Sequence, residues 1–401
     1  MRTAVHTRRI IDPNIGLKLT GTAGKTIFEF LSAADEAPGR VIEDVPNEYA
    51  GERKVFNIGR AMYNFGPSSY VGGLVTDTRF GSGHNQVLGG DVVLRLDGRQ
   101  KVSTTFLDSD TLFPDGKVAS NGRSAQGTYK FDTLRFRTFA QVEHYDEGFR
   151  MDTAFINRMG VTGVKSFSEL NFCPETSGWL KKISPGLWVQ RTEDRVHDGV
   201  ETAVQMNWNM NFSCQGYFGG NVRRGREPWR GTTYNRNQAD LWGGAQFTKW
   251  LNVNGWLNTG KSILYDPVDH FQGDSFSGNL NVTLQPSAKI NQNISYTKVR
   301  FDRETTGERI FNVHIVNTKT RYQFSRFFFV RSLIQFDSSQ KRVLTDLLAS
   351  YQLVPGTVMH LGYGSLIERR DFRDGKWVPG EGDYLTTNRG IFFKASYLYR
   401  F

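Results

Sequence analysis

The feature that most constrains this chain is a ten-residue stretch, 203–212, in which apolar and polar side chains alternate. The two sets are Val204, Met206, Trp208, Met210 and Phe212 on one side and Ala203, Gln205, Asn207, Asn209 and Asn211 on the other. A strand places alternate residues on opposite faces, whereas a helix would spread both sets around its circumference. The stretch therefore predicts a β-strand with one apolar face and one amide-bearing face.

The same alternation recurs at 87–96, 251–258 and 327–337. At 87–96 the apolar face has Leu88, Gly90, Val92, Leu94 and Leu96, and the polar face has Asp91 and Arg95. At 251–258 the apolar face has Leu251, Val253 and Leu257, and the polar face has Asn252, Asn254 and Asn258. At 327–337 the apolar face has Phe328, Val330, Ile334 and Phe336, and the polar face has Arg331, Gln335 and Asp337 but also the apolar Phe327, Phe329 and Leu333. The inner face of a soluble sandwich must be dry. Polar faces rich in asparagine instead predict a barrel with a water-filled interior.

Composition and charge agree with a membrane barrel. Only 38% of the 401 residues are hydrophobic, which suits strands that meet lipid on one face. No run of about 18 apolar residues occurs, which excludes transmembrane helices. The net charge of +10 comes from basic residues scattered among 40 acidic ones. It indicates a solvated surface or a weakly cationic pore, and we expect no nucleic-acid partner.

Connections between the predicted strands alternate between short and long. The short turns are Gly24-Lys25, Gly66-Pro67-Ser68, Asp97-Gly98-Arg99, Pro286-Ser287, Ser325-Arg326 and Pro355-Gly356, and the long polar stretches are 36–54, 112–124, 223–237, 266–274, 302–309 and 368–388. Outer-membrane barrels have short periplasmic turns and long extracellular loops. We therefore predict an all-β fold with a single domain over 1–401. It is a large antiparallel up-and-down transmembrane β-barrel of about 22 strands, with both termini in the periplasm.

The two ends of the chain bear on export and assembly. Residues 1–9 contain no apolar core of a signal peptide, so either a signal has been removed or the chain is the C-terminal piece of a longer precursor. The last segment, 390–401, alternates and ends in Phe, like the C-terminal strand that the barrel-assembly machinery reads in outer-membrane proteins. We expect Tyr397, Tyr399 and Phe401 to form this assembly signal and the protein to lie in the cell outer membrane.

Several further stretches resemble one family of uncharacterised outer-membrane barrels. They are Thr7-Arg8-Arg9-Ile10, the run from Gly16 to Gly21, Ala33-Ala34-Asp35-Glu36, the run from Tyr322 to Arg326 with Arg331, and Pro355-Gly356-Thr357 with Gly362-Tyr363. The resemblance covers nearly the whole chain. In that family the barrel is a domain of unknown function, and it follows a domain similar to family-nine carbohydrate-binding modules. The family also has barrel sequence upstream of the first of these stretches, so the resemblance implies an incomplete, C-terminal portion of a larger barrel.

Motifs for catalysis or metal binding are weak. The seven histidines are spread singly, and the segment from Asp108 to Gly116 lacks the spacing of an EF-hand. We interpret that segment as a solvated extracellular loop, with weak calcium binding as the alternative. The Gly-x-Ser-x-Gly pattern fails at Leu366. We expect no catalytic residue, no metal site and no cofactor.

Two pairs of residues leave alternatives open. His314 and Ser332 fall on successive predicted strands, which leaves a lipid-active enzyme that uses them as an alternative, although a structural role for both is preferred. Cys173 and Cys214 form no metal or redox motif, and whether they pair with each other is open.

The polar faces supply the best functional candidates, which are Asp91, Arg95, Asn207, Asn209, Asp240, Asn252, Asn254, Arg331 and Asp346. Such groups around a water-filled interior can bind hydroxylated solutes or tune ion passage. They can equally serve only to solvate the interior, which every such barrel requires. We predict a channel or transporter for solutes, glycans among them, that contacts outer-membrane lipids. The alternatives are a surface binding or anchoring barrel with a plugged interior, and an outer-membrane enzyme acting on lipid or glycan.

Overall fold

The computed structural model describes residues 5–40, 47–175, 178–213, 215–373 and 376–398. Within these ranges the chain forms 23 β-strands in one antiparallel up-and-down sheet. Helical structure in the same ranges consists of two 3-10 turns, Thr7–Arg9 and Ala37–Gly39, and none of it is long and apolar enough to cross a membrane. The prediction of an all-β antiparallel fold with about 22 strands is confirmed.

All but two of the strands have ten residues or more. In chain order they are β1 (Pro13–Ala23), β2 (Thr26–Asp35), β3 (Lys54–Gly66), β4 (Ser69–Phe80), β5 (Gly83–Arg95), β6 (Gln100–Leu112), β7 (Ala119–Asp132), β8 (Phe136–Tyr145), β9 (Val161–Leu170), β10 (Leu180–Asp194), β11 (Gly199–Phe212), β12 (Tyr217–Trp229), β13 (Thr232–Asn235), β14 (Gln238–Thr248), β15 (Leu251–Leu264), β16 (Phe271–Ser287), β17 (Ile290–Arg303), β18 (Arg309–Gln323), β19 (Phe328–Asp337), β20 (Arg342–Val354), β21 (Thr357–Arg373), β22 (Lys376–Pro379) and β23 (Asp383–Ser396).

The described residues cluster into two compact units. The first takes them from 1–171, 186–205 and 225–234, and the second from 172–185, 206–224 and 235–401. Strands β1 to β9 belong to the first unit and β14 to β23 to the second, while β10 to β13 are divided between them. The single domain over 1–401 stays a prediction.

Exposure in the first unit follows the alternation of the sequence. On β5, Leu88 is 67% exposed, whereas the next residue back, Val87, is 1% exposed and Asp91 is 5% exposed. On β11, Val204 is 49% exposed and Ala203 is 2% exposed. Residues directly opposite each other on neighbouring strands share a face. We call the side of the first unit that carries Leu88 its apolar face, and the opposite side, which carries Val87 and Asp91, its covered face.

The start of β1 corrects one expectation. Pro13 is paired with Asp35, and Asp35 with Lys54 at the beginning of β3. The start of β1 therefore lies at the end of the first unit where the long connection 36–53 is found. The described residues before β1 therefore do not lie at the short-turn end, where the predicted topology placed the start of the chain. The physical reason is that residues 5–12 form no strand; they turn instead onto the connection 146–160 described below.

Some stretches predicted as loops are largely strand. Strand β12 runs to Trp229 and β13 begins at Thr232, so most of 223–237 is extended. The aspartates of 108–110 also lie within β6, which corrects their interpretation as a loop. In these places both faces carry polar side chains, so no apolar alternation marks the strand.

The C-terminal strand keeps the expected face but is shorter than predicted. Ile391 pairs with Tyr363 and Phe393 with Leu361, which places these four apolar residues on one side of the sheet. Strand β23 ends at Ser396. Tyr397 follows it and is 75% exposed. Tyr399 and Phe401 lie outside the described residues.

A fifteen-residue connection between β8 and β9, residues 146–160, packs onto the covered face of the first unit. Phe149, Met151 and Ala154 are buried there in one cluster with Val87 and Leu107. The sequence-based series of long loops does not include this connection. Its apolar residues have no strand period, and that lack of period in an apolar stretch is the signal that could have identified it.

Hydrogen bonds fix this connection to the strands beneath it. The side-chain amide of Asn85 donates to the Arg150 carbonyl and its oxygen accepts from the Asp152 N–H, both at 2.9 Å. The Arg150 N–H donates to Ser109 Oγ at 3.2 Å. The N-terminal segment adds a bond from the His6 N–H to the Thr153 carbonyl at 2.7 Å. These bonds satisfy backbone groups that would otherwise be buried without partners.

Two glycines allow the connection to lie directly on β7. A Cβ on Gly122 would collide with the backbone of Gly148 and Phe149, and a Cβ on Gly148 would collide with the carbonyl of Asn121. Neither glycine has a positive φ angle, so the requirement for glycine comes from close backbone approach and not from strain.

We predict that Gly122→Ala lifts the connection off the sheet. The added methyl group has no room, and such overpacking costs about 1–3 kcal/mol. Protection of the Arg150 and Asp152 amides from hydrogen exchange should fall accordingly, because local opening becomes easier. Gly73→Ala is the matched control, since a Cβ there meets nothing within 4 Å. Unchanged protection in Gly122→Ala would contradict the packing described here.

Candidate functional site

The second unit carries a polar surface on strands β14 to β18, which we call the asparagine face. Register defines it: Asp240 pairs with Asn258, and Asn254 pairs with Asn281. The row of Asn254 and Asn281 continues through Ser295 to Asn317 on β18. These residues come from five consecutive strands, and each lies on the side away from neighbours such as Val253 and Leu280.

Amide side chains on this face hydrogen-bond to one another. Asn258 donates to Asp240 at 2.6 Å, Asn254 donates to Asn252 at 3.1 Å, and Asn252 donates to Gln246 at 3.1 Å. An amide has two donor hydrogens and an oxygen that accepts twice. A network of this kind holds the amides in place and leaves part of their bonding capacity for water or solute.

Further amides on β16 and β17 extend this network. Asn293 donates to Asn281 at 2.8 Å and to Thr283 at 3.1 Å, and Asn279 donates to Thr297 at 2.9 Å. Asn279, Asn281 and Asn293 are not among the candidates predicted from sequence. The alternation of Asn279 and Asn281 with Leu280 and Val282 is the signal that could have identified them.

Two tryptophans belong to the asparagine face. Trp242 pairs with Trp256, and Trp256 pairs with Asn279. Trp256 is 46% exposed, so part of its indole ring remains open. Trp242 Nε1 donates to Asn209 Oδ1 at 3.2 Å. A Cβ on Gly219 would lie 2.6 Å from both atoms of that bond, so the contact depends on glycine there.

The nine residues predicted from sequence separate into two groups. Asn207, Asn209, Asp240, Asn252, Asn254, Arg331 and Asp346 belong to the second unit, and Asp91 and Arg95 to the first. In the second unit Arg331 donates to Asp346 at 2.9 Å. In the first, Arg60 donates to both carboxylate oxygens of Asp91, at 2.7 and 2.9 Å. Arg95 is exposed at the end of β5.

Ion pairs attach the connection 146–160 to strands of the first unit. Lys54 lies 2.5 Å from Asp152, and Arg158 lies 2.5 Å from both Asp194 and Glu201. Burial alone would raise the pKa of Asp152, but the charges and hydrogen bonds of Lys54 and Arg150 outweigh it and hold that pKa below its usual value. Asp152 is therefore a carboxylate at neutral pH.

The structure separates the only serine and histidine that we considered for catalysis. His314 pairs with Lys298 on β17, and Ser332 pairs with Thr320. Because His314 and Thr320 are six residues apart on β18, the two side chains lie about 20 Å apart. His314 Nδ1 instead lies 2.8 Å from the Tyr296 hydroxyl.

In the parts of the chain that the structure describes, the remaining candidates for chemistry would be clusters of metal-ligating side chains and Cys173. No group of three or more His, Cys, Asp or Glu side chains there could hold a metal ion. Cys173 is exposed. Cys214 lies outside the described residues, so its pairing stays open.

Among the comparisons with known proteins, only the comparison with solved structures gave matches. No family model matches the chain, and no curated protein matches it. The copper transporter OprC is similar with a TM-score of 0.57 at 10% identity, over 95% of this chain and 77% of that one. The chain has the fold of outer-membrane receptor and transporter barrels.

Two further structures support this assignment. The ferric enterobactin receptor PfeA of Pseudomonas aeruginosa, in complex with enterobactin, gives a TM-score of 0.52 at 9% identity, over 93% of this chain and 73% of that one. The siderophore receptor PirA of Pseudomonas aeruginosa gives 0.51 at 8% identity, over 85% and 70%. At such low identity the similarity concerns the fold alone. The predicted all-β barrel fold is confirmed, and the compared proteins are receptors and transporters.

We predict that acid loosens the connection 146–160 through Asp152. A carboxyl whose pKa is lower in the folded state stabilises the fold above its unfolded pKa, which is about 3.9. That contribution is lost as the pH falls through the folded value. A spin label at Phe155→Cys, with both native cysteines replaced by serine, should therefore become more mobile below about pH 4.

The variant Asp152→Asn should show this mobility already at pH 7, because Lys54 then lacks its carboxylate partner. Asp198→Asn, in the exposed turn after β10, removes the same charge and should leave the spectrum unchanged. A spectrum for Asp152→Asn that matches the parent at pH 7 would show that the ion pair does not hold the connection.

Proposed function

We propose that the chain is an outer-membrane channel or transporter that passes small hydroxylated solutes, glycans among them, along the asparagine face. The observation that carries this proposal is the hydrogen-bonded set of amides on this face, with the half-exposed ring of Trp256 beside them. Neutral hydroxyl groups exchange hydrogen bonds with amides at little desolvation cost. The apolar face of a sugar ring packs against an indole, which amides alone would not provide.

The apolar residues on the opposite side of the same strands support a membrane location. Leu280 is 49% exposed and Leu257 is 36% exposed on that side of the second unit. In the first unit Leu88 and Val75 are exposed on the apolar face. We infer that these surfaces meet outer-membrane lipids, and that Tyr397, Tyr399 and Phe401 are the signal for the barrel-assembly machinery. The sequence resemblance to barrels that follow a carbohydrate-binding domain favours glycans among the solutes.

A second candidate function follows from the connection 146–160. It packs onto the covered face of the first unit through a buried cluster that includes Phe149 and Met151. A barrel whose interior is closed in this way would serve as a surface binding or anchoring protein and would conduct no solute. The two candidate functions differ in whether solute passes through the barrel.

We predict that lipid meets the side of β16 that carries Leu280. Leu280→Arg should lower the free energy of unfolding in lipid vesicles by about 2–4 kcal/mol if the site lies near the bilayer midplane. Asn281→Arg, one residue away on the other face, should cost about 1 kcal/mol through its lost hydrogen bond with Asn293. Urea titration of both variants checks this. Equal losses would contradict the assignment of the faces.

For the proposed function, we predict that Trp256→Leu weakens interaction with a disaccharide such as maltose. Block of the ionic current by maltose in planar bilayers should weaken about fivefold, which corresponds to about 1 kcal/mol of lost contact. Trp250→Leu is the matched control, because Trp250 is 47% exposed but lies in the short turn between β14 and β15. The control should leave the block unchanged.

Conduction and swelling measurements on the unmodified chain distinguish the two candidate functions. A steady ionic current, together with swelling of proteoliposomes in maltose, supports passage of solute. Correctly folded protein that gives neither current nor swelling would rule out the channel and favour the plugged binding barrel. Equal block in Trp256→Leu and the parent would remove the asparagine face from the pathway.

A further inference from the structure

Three basic residues form a row on the covered face of the first unit. Arg95 at the end of β5 pairs with Lys101 on β6, and Lys101 pairs with Lys130 on β7. Neighbouring strands lie about 5 Å apart, so the row spans about 10 Å. Like charges directly opposite each other destabilise a sheet. The arrangement therefore costs stability unless something compensates the charge.

The acidic residues around this row are bound to other cations. Asp91 pairs with Arg60, Glu143 with Lys165, and Glu169 with Arg137. The remaining acid on this part of the face, Asp132, lies opposite Arg137 in the register. Across the described ranges, none of Arg95, Lys101 and Lys130 forms an ion pair.

A cavity of about 310 Å³ opens beside the row. Lys101 and Lys130 line it together with Gln126, Gln141 and the hydroxyl-bearing Tyr70. This volume is at the lower limit of small-molecule sites, which range from about 300 to 1,000 Å³. The lining thus includes two ammonium groups and two amides, and the carboxylate that also lines the cavity, Asp91, is bound to Arg60.

An aromatic wall bounds the same cavity. Phe139 lines it and is the cross-strand partner of Lys130 on one side and of Phe167 on the other. The ring of Trp188 packs against Phe139 edge-on, with 5.6 Å between the ring centroids. The cations thus stand next to an aromatic surface that a second ring could contact.

We propose that this cavity binds a small organic carboxylate that carries an aromatic ring. The carboxylate lies between Lys101 and Lys130, with Arg95 adding to the positive potential, and the ring contacts Phe139. An anion in this position removes the repulsion within the row, so binding and stability are coupled. The site is in the first unit, and it goes beyond the proposed passage of neutral solutes along the asparagine face.

Calorimetric titration of the full chain in detergent tests the proposal, with benzoate and its neutral analogue benzamide as probes. Benzoate should bind at least about tenfold more tightly than benzamide, because only benzoate carries the charge that attracts the three basic residues, and tenfold corresponds to about 1.4 kcal/mol. Equal binding of the two compounds, or no binding of benzoate, would overturn the proposal. This comparison needs no variant and no conduction, so its failure is distinguishable from failure of the channel.

The double variant Lys101→Gln, Lys130→Gln should weaken benzoate binding about tenfold or more. It should unfold at the same or a higher urea concentration than the parent, because the like-charge repulsion is gone. Lys319→Gln, on the asparagine face, is the control with the same type of substitution and should bind benzoate like the parent. Unweakened binding in the double variant would overturn the assignment of the site.

Discussion

Hydrogen bonding between neighbouring strands is the constraint on which the rest of this structure depends. Neighbouring strands pair their backbones, and the two-residue period then decides which side chains meet which environment. Val87 and Leu88 are adjacent in sequence, yet one is 1% and the other 67% exposed. A slip of one residue in the pairing of β5 would exchange them and would move Asp91 to the apolar face. The polar residues on both units are therefore placed by register.

How much of the fold could be predicted from sequence follows from the same period. Alternation at 203–212 and 251–258 predicts strands and faces, because the apolar and polar sets are cleanly separated there. The period fails at 223–229, where polar residues occupy both faces of β12. The position of the connection 146–160 on the sheet could not be predicted either, because it depends on Asn85, which lies more than sixty residues before its partners in the chain.

The candidate site divides in a similar way. The amides of the asparagine face could be predicted in part, since Asn252 and Asn254 alternate with apolar residues on one strand. Trp256 could not, because its role depends on its neighbours Trp242 and Asn279 across the sheet. Residues that act together through pairing of different strands leave no local pattern. This holds above all for Lys101 and Lys130, which only the register of β6 with β7 brings together.

The asparagine face and the covered face differ in which of their polar groups already have partners within the protein. This difference determines the kind of solute that each face can bind. On the asparagine face the amides bond to one another and keep spare donors and acceptors, so a neutral hydroxyl can replace water with little cost. On the covered face Asp91 and Glu143 are neutralised by their own cations, and the excess charge is concentrated on Lys101 and Lys130. A neutral solute gains little from such a row, whereas an anion gains the charge compensation that the sheet itself does not provide. The hydrogen-bonding groups and charges that have no partner within the protein, rather than the number of polar groups, decide which solute each face favours.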